Sequence, residues 1–290
     1  MKLCRSPGQR GFVIVAVLWI VLALASLALI FAAYISASGR AAALSDSSVK
    51  TEALLSASLE LTAYHLASVT EQTRPSRGSF QFSLDEADVN VAFTSEAARI
   101  DLNFVSQDVL RALLVRLGTG QDEAMARARE AADRIIGWRT PPVQDGVNEE
   151  AALYQGAGYV PRQAPFADVN ELGLVIGLPA ALAERLKPFV TIFNGTADVD
   201  LTIAAPEVVA ALSAVKAKDQ QPHDAPAVVP GDLRARSQCY RVKTAIRFWN
   251  GQETVSEIVI AVGNKVEPYQ VLSWQDDAQP QRVVYSGRRQ

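Results

Sequence analysis

The sequence holds two histidines, His65 and His223, and two cysteines, Cys4 and Cys239. An imidazole serves as general base or metal ligand and a thiolate as nucleophile or ligand, so these four residues bound what the chain can catalyse. Two histidines exclude a three-histidine zinc site, and a Ser-His-Asp triad would have to use one of them. His65 falls in a helical pattern and His223 in a proline-rich stretch, where solvated or packed roles fit better than catalytic ones. Cys239 reads as a small buried thiol, and once a leader containing Cys4 is removed it has no partner for an internal disulfide. The run from Gly118 to Glu123, GTGQDE, lacks the third glycine and the apolar helix start of a dinucleotide fingerprint, and there is no Walker loop. The expectation is a protein that is not an enzyme.

The elements that carry the chain begin with a greasy run. Phe12 to Ile35 contains no charge and is interrupted only by Ser26 and Tyr34. Crossing about 30 Å of hydrocarbon takes roughly 20 apolar residues, so the run is long enough for a transmembrane helix. Residues 1–11 hold Lys2, Arg5 and Arg10 and no acid, leaving 25 basic against 31 acidic residues beyond them. The positive flank predicts a cytoplasmic N-terminus and a mildly acidic bulk across the membrane, in a bacterium the periplasm. That acidity argues against a phosphate-binding surface. A secretory signal cut near Ala37, in ISASGRAAA, is a second reading that the sequence leaves open.

Beyond Ile35 no proline occurs until Pro75, and Leu44, Leu55, Leu59 and Leu66 fall near one helix face. A single helix from Phe12 to about Thr70 would extend about 88 Å at about 1.5 Å per residue, unless it breaks at Gly39. Alternation at Phe80, Phe82, Val89, Val91 and Phe93 predicts a β-hairpin turning between Leu84 and Asp88. From Asn103 to Asn194 the pattern is helical, with Ser106 and Asp168 as candidate N-caps and Gly118 and Gly177 as candidate stops. Strand patterns return in YRVKTAIRFWN, ETVSEIVIAVGN and PYQVLSWQ. The segments starting at Ile100 (IDLNFVSQDVLRALL) and Val199 (VDLTIAAPEVVAAL) echo one another, and the stretch from Val215 reads as an exposed proline-rich loop.

Basic residues followed by Gly11 and then FVIVAVLW resemble a type IV prepilin leader, which implies cleavage after Gly11 by prepilin peptidase and a mature N-terminus at Phe12 that is open to N-methylation. The fifth mature residue is Ala16, where most pilins and pseudopilins resemble one another in carrying glutamate. That carboxylate neutralises the terminal ammonium of the subunit ahead, since an unpaired charge in apolar surroundings costs several kcal/mol. A subunit with none ahead has no such need, so Ala16 fits a filament tip. Together with FADVNELGLVIGL, RLKPFVTIF and VDLTIAAPEVVAAL, these features resemble the minor pseudopilin family called general secretion pathway protein K, of type II secretion.

The resemblance implies an α+β, type IV pilin-like fold: a long N-terminal transmembrane helix, a β-sheet head and a large inserted α-helical domain of SAM-like or helix-hairpin-helix type. The implied division is a leader at 1–11, the span at 12–35, a periplasmic stalk at 36–70, and a head at 71–102 plus 197–290 that includes a SAM-like segment near 199–215. The insertion then occupies 103–196. The implied role is to initiate or cap the periplasmic pseudopilus from the inner membrane and so support protein export across the outer membrane. Implied partners are other minor pseudopilins, the major pseudopilin, prepilin peptidase and the inner-membrane secretion platform, with no nucleic acid. Calcium is the cofactor the family suggests, bound by acids flanking the tryptophan equivalent to Trp138. Here Gly137, Thr140 and Pro142 stand at those places, leaving Asp145, Glu149 and Glu150 as a remnant ligand set or as acids that merely begin a solvated helix. The alternative is a membrane-anchored helix-hairpin-helix protein of a DNA-uptake apparatus, using LVIGLPAALAERL with Arg162, Arg185 and Lys187.

Overall fold

A computed structural model of the chain describes residues 10–118, 122–142, 149–219, 237–263 and 267–276. It divides into two compact units at Ser56/Ala57. Helix α1 runs from Arg10 to Ala67. It passes through Gly39 without a break, because one glycine costs a helix only about 1 kcal/mol while the alanines and leucines around it favour helix. Within the first unit, Ile14–Ile35 has mean hydropathy 3.0 over 22 residues and is long and apolar enough to cross a membrane.

The second unit is built around an antiparallel sheet of strands β1 (Arg77–Leu84), β2 (Ala87–Ser95), β5 (Cys239–Phe248), β6 (Glu253–Val262) and β7 (Tyr269–Asp276), in the order β1-β2-β5-β6-β7. Alternation decides its faces. Tyr240, Val242, Ile246 and Phe248 of β5 are buried on the side that receives the last turns of α1. There Leu59, Ala63 and Leu66 are buried at helical spacing, Ser58 Oγ and Thr244 Oγ1 share a 2.9 Å hydrogen bond, and the His65 ring lies 5.2 Å from that of Phe80. The β1–β2 hairpin turns on Asp85 and Glu86 alone, both at positive φ (49° and 61°), which matches the twist of the flanking strands. This turn is tighter than the five-residue span the alternation suggested.

Between β2 and β5 the chain leaves the sheet for a helical block. Short strands β3 (Ile100–Asp101) and β4 (Val190–Thr191) pair in parallel at its base. Helix α2 (Gln107–Leu117) starts at Ser106, whose Oγ accepts from Val109 N at 3.4 Å, and ends at Gly118. It buries Val109, Leu110, Leu113, Leu114 and Leu117 against Ala128, Ala131, Ala132, Ile135 and Trp138 of α3 (Asp122–Arg139). Helices α4 (Glu149–Leu153) and α5 (Ala180–Leu186) complete the block, and Gly177 takes φ +84° ahead of α5. Asp168 caps a 3-10 turn, Val169–Leu174, in place of the α-helix its spacing suggested.

Two sequence-based groupings change. Val208 and Ala211 of α6 (Pro206–Asp219) belong to the same apolar core as α2 and α3, so the helix of the segment near 199–215 packs with the helical block. The physical reason is the buried face of α2, which α6 covers. Helix α6 also continues to Asp219, past the point where the loop was expected to begin; His223 and the rest of that stretch to residue 236 lie outside the described residues.

Candidate functional site

The two echoing segments build the same local device twice. Asp101 Oδ1 accepts from Asn103 N at 2.8 Å and Asp200 Oδ1 from Thr202 N at 2.9 Å, while Val105 N and Ala204 N return to the Asp101 and Asp200 carbonyls. Each carboxylate then reaches away: Asp101 Oδ2 accepts from Gly195 N at 2.8 Å, and Asp200 Oδ2 from Ser76 Oγ at 3.1 Å. Both aspartates have no exposed surface. They are acceptors that satisfy turn amides and launch α2 and α6, and not a ligand pair. Burial pushes the Asp101 carboxyl above its ordinary range, against the amides of Asn103 and Gly195.

A second set of charges joins the helical block to the sheet. Arg241 of β5 donates from Nε to Glu96 Oε1 at 2.7 Å and also bonds Glu257 of β6, whose Oε2 lies 2.8 Å from Lys243 Nζ. Arg99 Nη1 lies 2.8 Å from Glu96 Oε1, its Nε donates to Pro188 O at 3.0 Å, and the Thr191 hydroxyl of β4 donates to Glu96 Oε2. Burial alone raises the Glu96 carboxyl, but the hydrogen bonds and charge of Arg241, with those of Arg99 and Thr191, bring it below the ordinary range. Glu257 is likewise lowered, its burial outweighed by Arg241 and Lys243. Burial opposes the Arg241 charge, yet Glu96 and Glu257 raise its pKa. A groove of about 340 Å³ opens between this network and Lys187, Pro188 and Phe193 of the block. Arg99, Arg241, Lys243, Glu257, Glu184 and Lys187 along its walls are held in ion pairs, so the arrangement clamps two substructures together.

Sequence reasoning missed this network. Alternation in RVKTAIRF puts Arg241 and Lys243 on one strand face, and that much was readable; Glu96 is brought to them across 145 positions by the β2–β5 register.

Of the residues singled out from sequence, Gly11 and Phe12 lie in the first turn of α1, and Ala16 lies inside the apolar span. Cys239 is free, and burial pushes its thiol up to about 11, which leaves it unreactive near neutral pH. Asp145 lies outside the described residues, and Glu149 is the first residue of α4. Glu150 is committed elsewhere: its Oε2 lies 2.9 Å from Arg134 Nη1, and its Oε1 is buried without a partner. Among the described residues no three acidic, histidine or cysteine side chains gather around a common point. Thr140 donates its hydroxyl to Ile136 O at 2.6 Å. Among the described residues, one free carboxylate oxygen beside a guanidinium falls short of the six to eight oxygen ligands that Ca²⁺ takes. The Trp138 ring lies 5.7 Å from that of Tyr154, tilted by 49°, and its Nε1 donates to Glu171 at 3.0 Å, a packing role. Near the α5 hairpin, Arg162 and Lys187 are held by Glu171 and Glu184.

Comparison with known proteins places these features. Residues 89–195 match the family described as Type II secretion system (T2SS), protein K. A curated relative, type II secretion system protein K of Klebsiella pneumoniae, is 26% identical over 149 residues, covering 47% of this chain and 45% of that protein. The chain therefore aligns with less than half the length of that relative. Among solved structures, one from the crystal structure of the GspK-GspI-GspJ complex of the enterotoxigenic Escherichia coli type 2 secretion system shares the fold. Its TM-score is 0.52 at 19% identity, covering 79% of this chain and 95% of that one. The matched segment begins in β2 and runs through β4, taking in α2 to α5, and over that segment this chain is similar to protein K of the type II secretion system.

Proposed function

We propose that the protein is a minor pseudopilin: a non-enzymatic subunit held in the inner membrane by Ile14–Ile35, with its sheet and helical block in the periplasm, that joins other minor pseudopilins at the tip of a pseudopilus and initiates or caps it in support of export across the outer membrane. The observation that carries this reading is the union in one chain of an uncharged apolar helix with a protein K domain. In this reading the fold is pilin-like with a SAM-like insertion, prepilin peptidase cuts between Gly11 and Phe12, and the span first lies in lipid and later packs among other such helices alongside the major pseudopilin. The same greasy surface serves both, because lipid tails and neighbouring helices are equally apolar. Ala16 then fits a subunit with no ammonium ahead of it to neutralise. The solved relative was crystallised with two partners, GspI and GspJ, and corresponding partners are expected for this chain.

The test is co-purification of the full-length chain, solubilised in detergent, with the minor pseudopilins of its own secretion system. A stoichiometric complex and loss of secretion on deletion are expected; normal secretion without the protein overturns the reading.

A further inference from the structure

The Glu150 carboxylate of α4 lies against α3 at Gly137. A Cβ added at Gly137 would lie 2.5 Å from Glu150 Oε2 and 2.6 Å from its Cδ, so the missing side chain is what lets the carboxylate settle on the helix backbone. Glycine inside a helix costs about 1 kcal/mol relative to alanine, and close approach is a reason to keep one. Arg134, one turn earlier on α3, closes the contact with its guanidinium at 2.9 Å. The Gly177 backbone passes close to its stem: a Cβ added there, where φ is +84°, would lie 3.3 Å from Arg134 Cγ. One turn further along, Tyr154 Oη accepts from Ile176 N at 3.1 Å. Arg134 thus lies between α4 and the Gly177 turn, paired with Glu150 on the α4 side.

An acid at position 137 would collide with Glu150 as it stands, and a divalent ion on Glu150 Oε1 would face the Arg134 charge across one carboxylate. We propose that Arg134 does in this chain what a bound calcium ion would do elsewhere: it neutralises Glu150 and docks α4 on α3, so that the helical block is stable without divalent metal. The proposal stands apart from the pseudopilus role and is read out by stability alone.

The test is the thermal midpoint of the full-length chain in detergent, followed by near-ultraviolet circular dichroism, which reports the Trp138–Tyr154 packing. The wild-type midpoint is expected to coincide in EDTA and in CaCl2. Arg134→Gln should lower it by about 3–8 °C in both, as expected for the loss of a part-buried pair, and Arg134→Lys should recover part of the drop. A wild-type midpoint that rises with CaCl2 or falls with EDTA overturns the proposal, as does an Arg134→Gln midpoint equal to wild type. Should Arg134→Gln fail to fold, the EDTA comparison on wild type and Arg134→Lys decides the matter.

Discussion

Glu96 shows what a single residue contributes here. Its side chain has no exposed surface and is shared by Arg99, Arg241 and Thr191. Replacing both ends of such a pair by apolar residues can be neutral, but removing one end strands the other. Glu96→Gln should therefore cost about 3–5 kcal/mol, measured by urea or thermal unfolding. Because Glu96 and Glu257 have lowered folded pKa values, the stability they add is complete above the ordinary glutamate value of 4.5 and is lost as pH falls through their folded pKa values. Asp101 has the opposite sign: its pKa is raised, so its contribution is greatest below 3.8 and is lost as pH rises through the folded value. The acid limb of a stability profile should become shallower in Glu96→Gln, and an unchanged limb would show that Glu96 is not the charge being titrated. Gly78 offers a steric counterpart. An added Cβ would lie 2.4 Å from Phe93 Cζ, so Gly78→Ala should lose about 1–3 kcal/mol despite alanine's lower backbone entropy cost.

At the scale of elements, packing of the last turns of α1 on the sheet depends on small residues. Ala63 has no exposed surface, and Ser58 and Thr62 beside it are equally buried. Thr62 Oγ1 bonds back to Ser58 O at 2.7 Å, so its polar atom is satisfied within the helix. Ala63→Leu should lift the helix and cost about 1–3 kcal/mol, visible as a lower midpoint with little change in far-ultraviolet circular dichroism. Strand β7 lies at one edge of the sheet, and a register shift at Val259/Ile260 interrupts its pairing with β6. Such irregularities blunt an edge against adding a further strand. The hairpin strands were readable from alternation and α2 from its Ser106 cap and Gly118 stop. The β2–β5 pairing was not, because no local pattern specifies a partner more than 140 residues away.

For the whole molecule, the apolar span makes the most direct predictions. Charged residues at a helix centre cost about 2.5–3.5 kcal/mol each on insertion scales, so Leu24→Arg with Leu27→Arg should move a large share of the protein out of the membrane fraction. Unchanged fractionation would mean that Ile14–Ile35 is not the anchor. If prepilin peptidase acts as proposed, mass spectrometry of the chain from its native host should find an N-terminus at Phe12; one near Ser38 would point to a secreted protein instead.

The amino-acid order by itself determined the hairpin strands and both ends of α2, because these follow from local periodicity and caps, and the absence of proline made one long N-terminal helix readable while leaving a break at Gly39 open. The protein K resemblance was legible too, since it rests on contiguous motifs. Tertiary structure alone decided that α6 joins the core of α2 and α3, that Glu96 meets Arg241, and that Gly137 makes room for Glu150 and its guanidinium partner. Those outcomes depend on which surfaces meet across long stretches of chain, where burial and charge pairing become favourable only after the backbone has closed the distance.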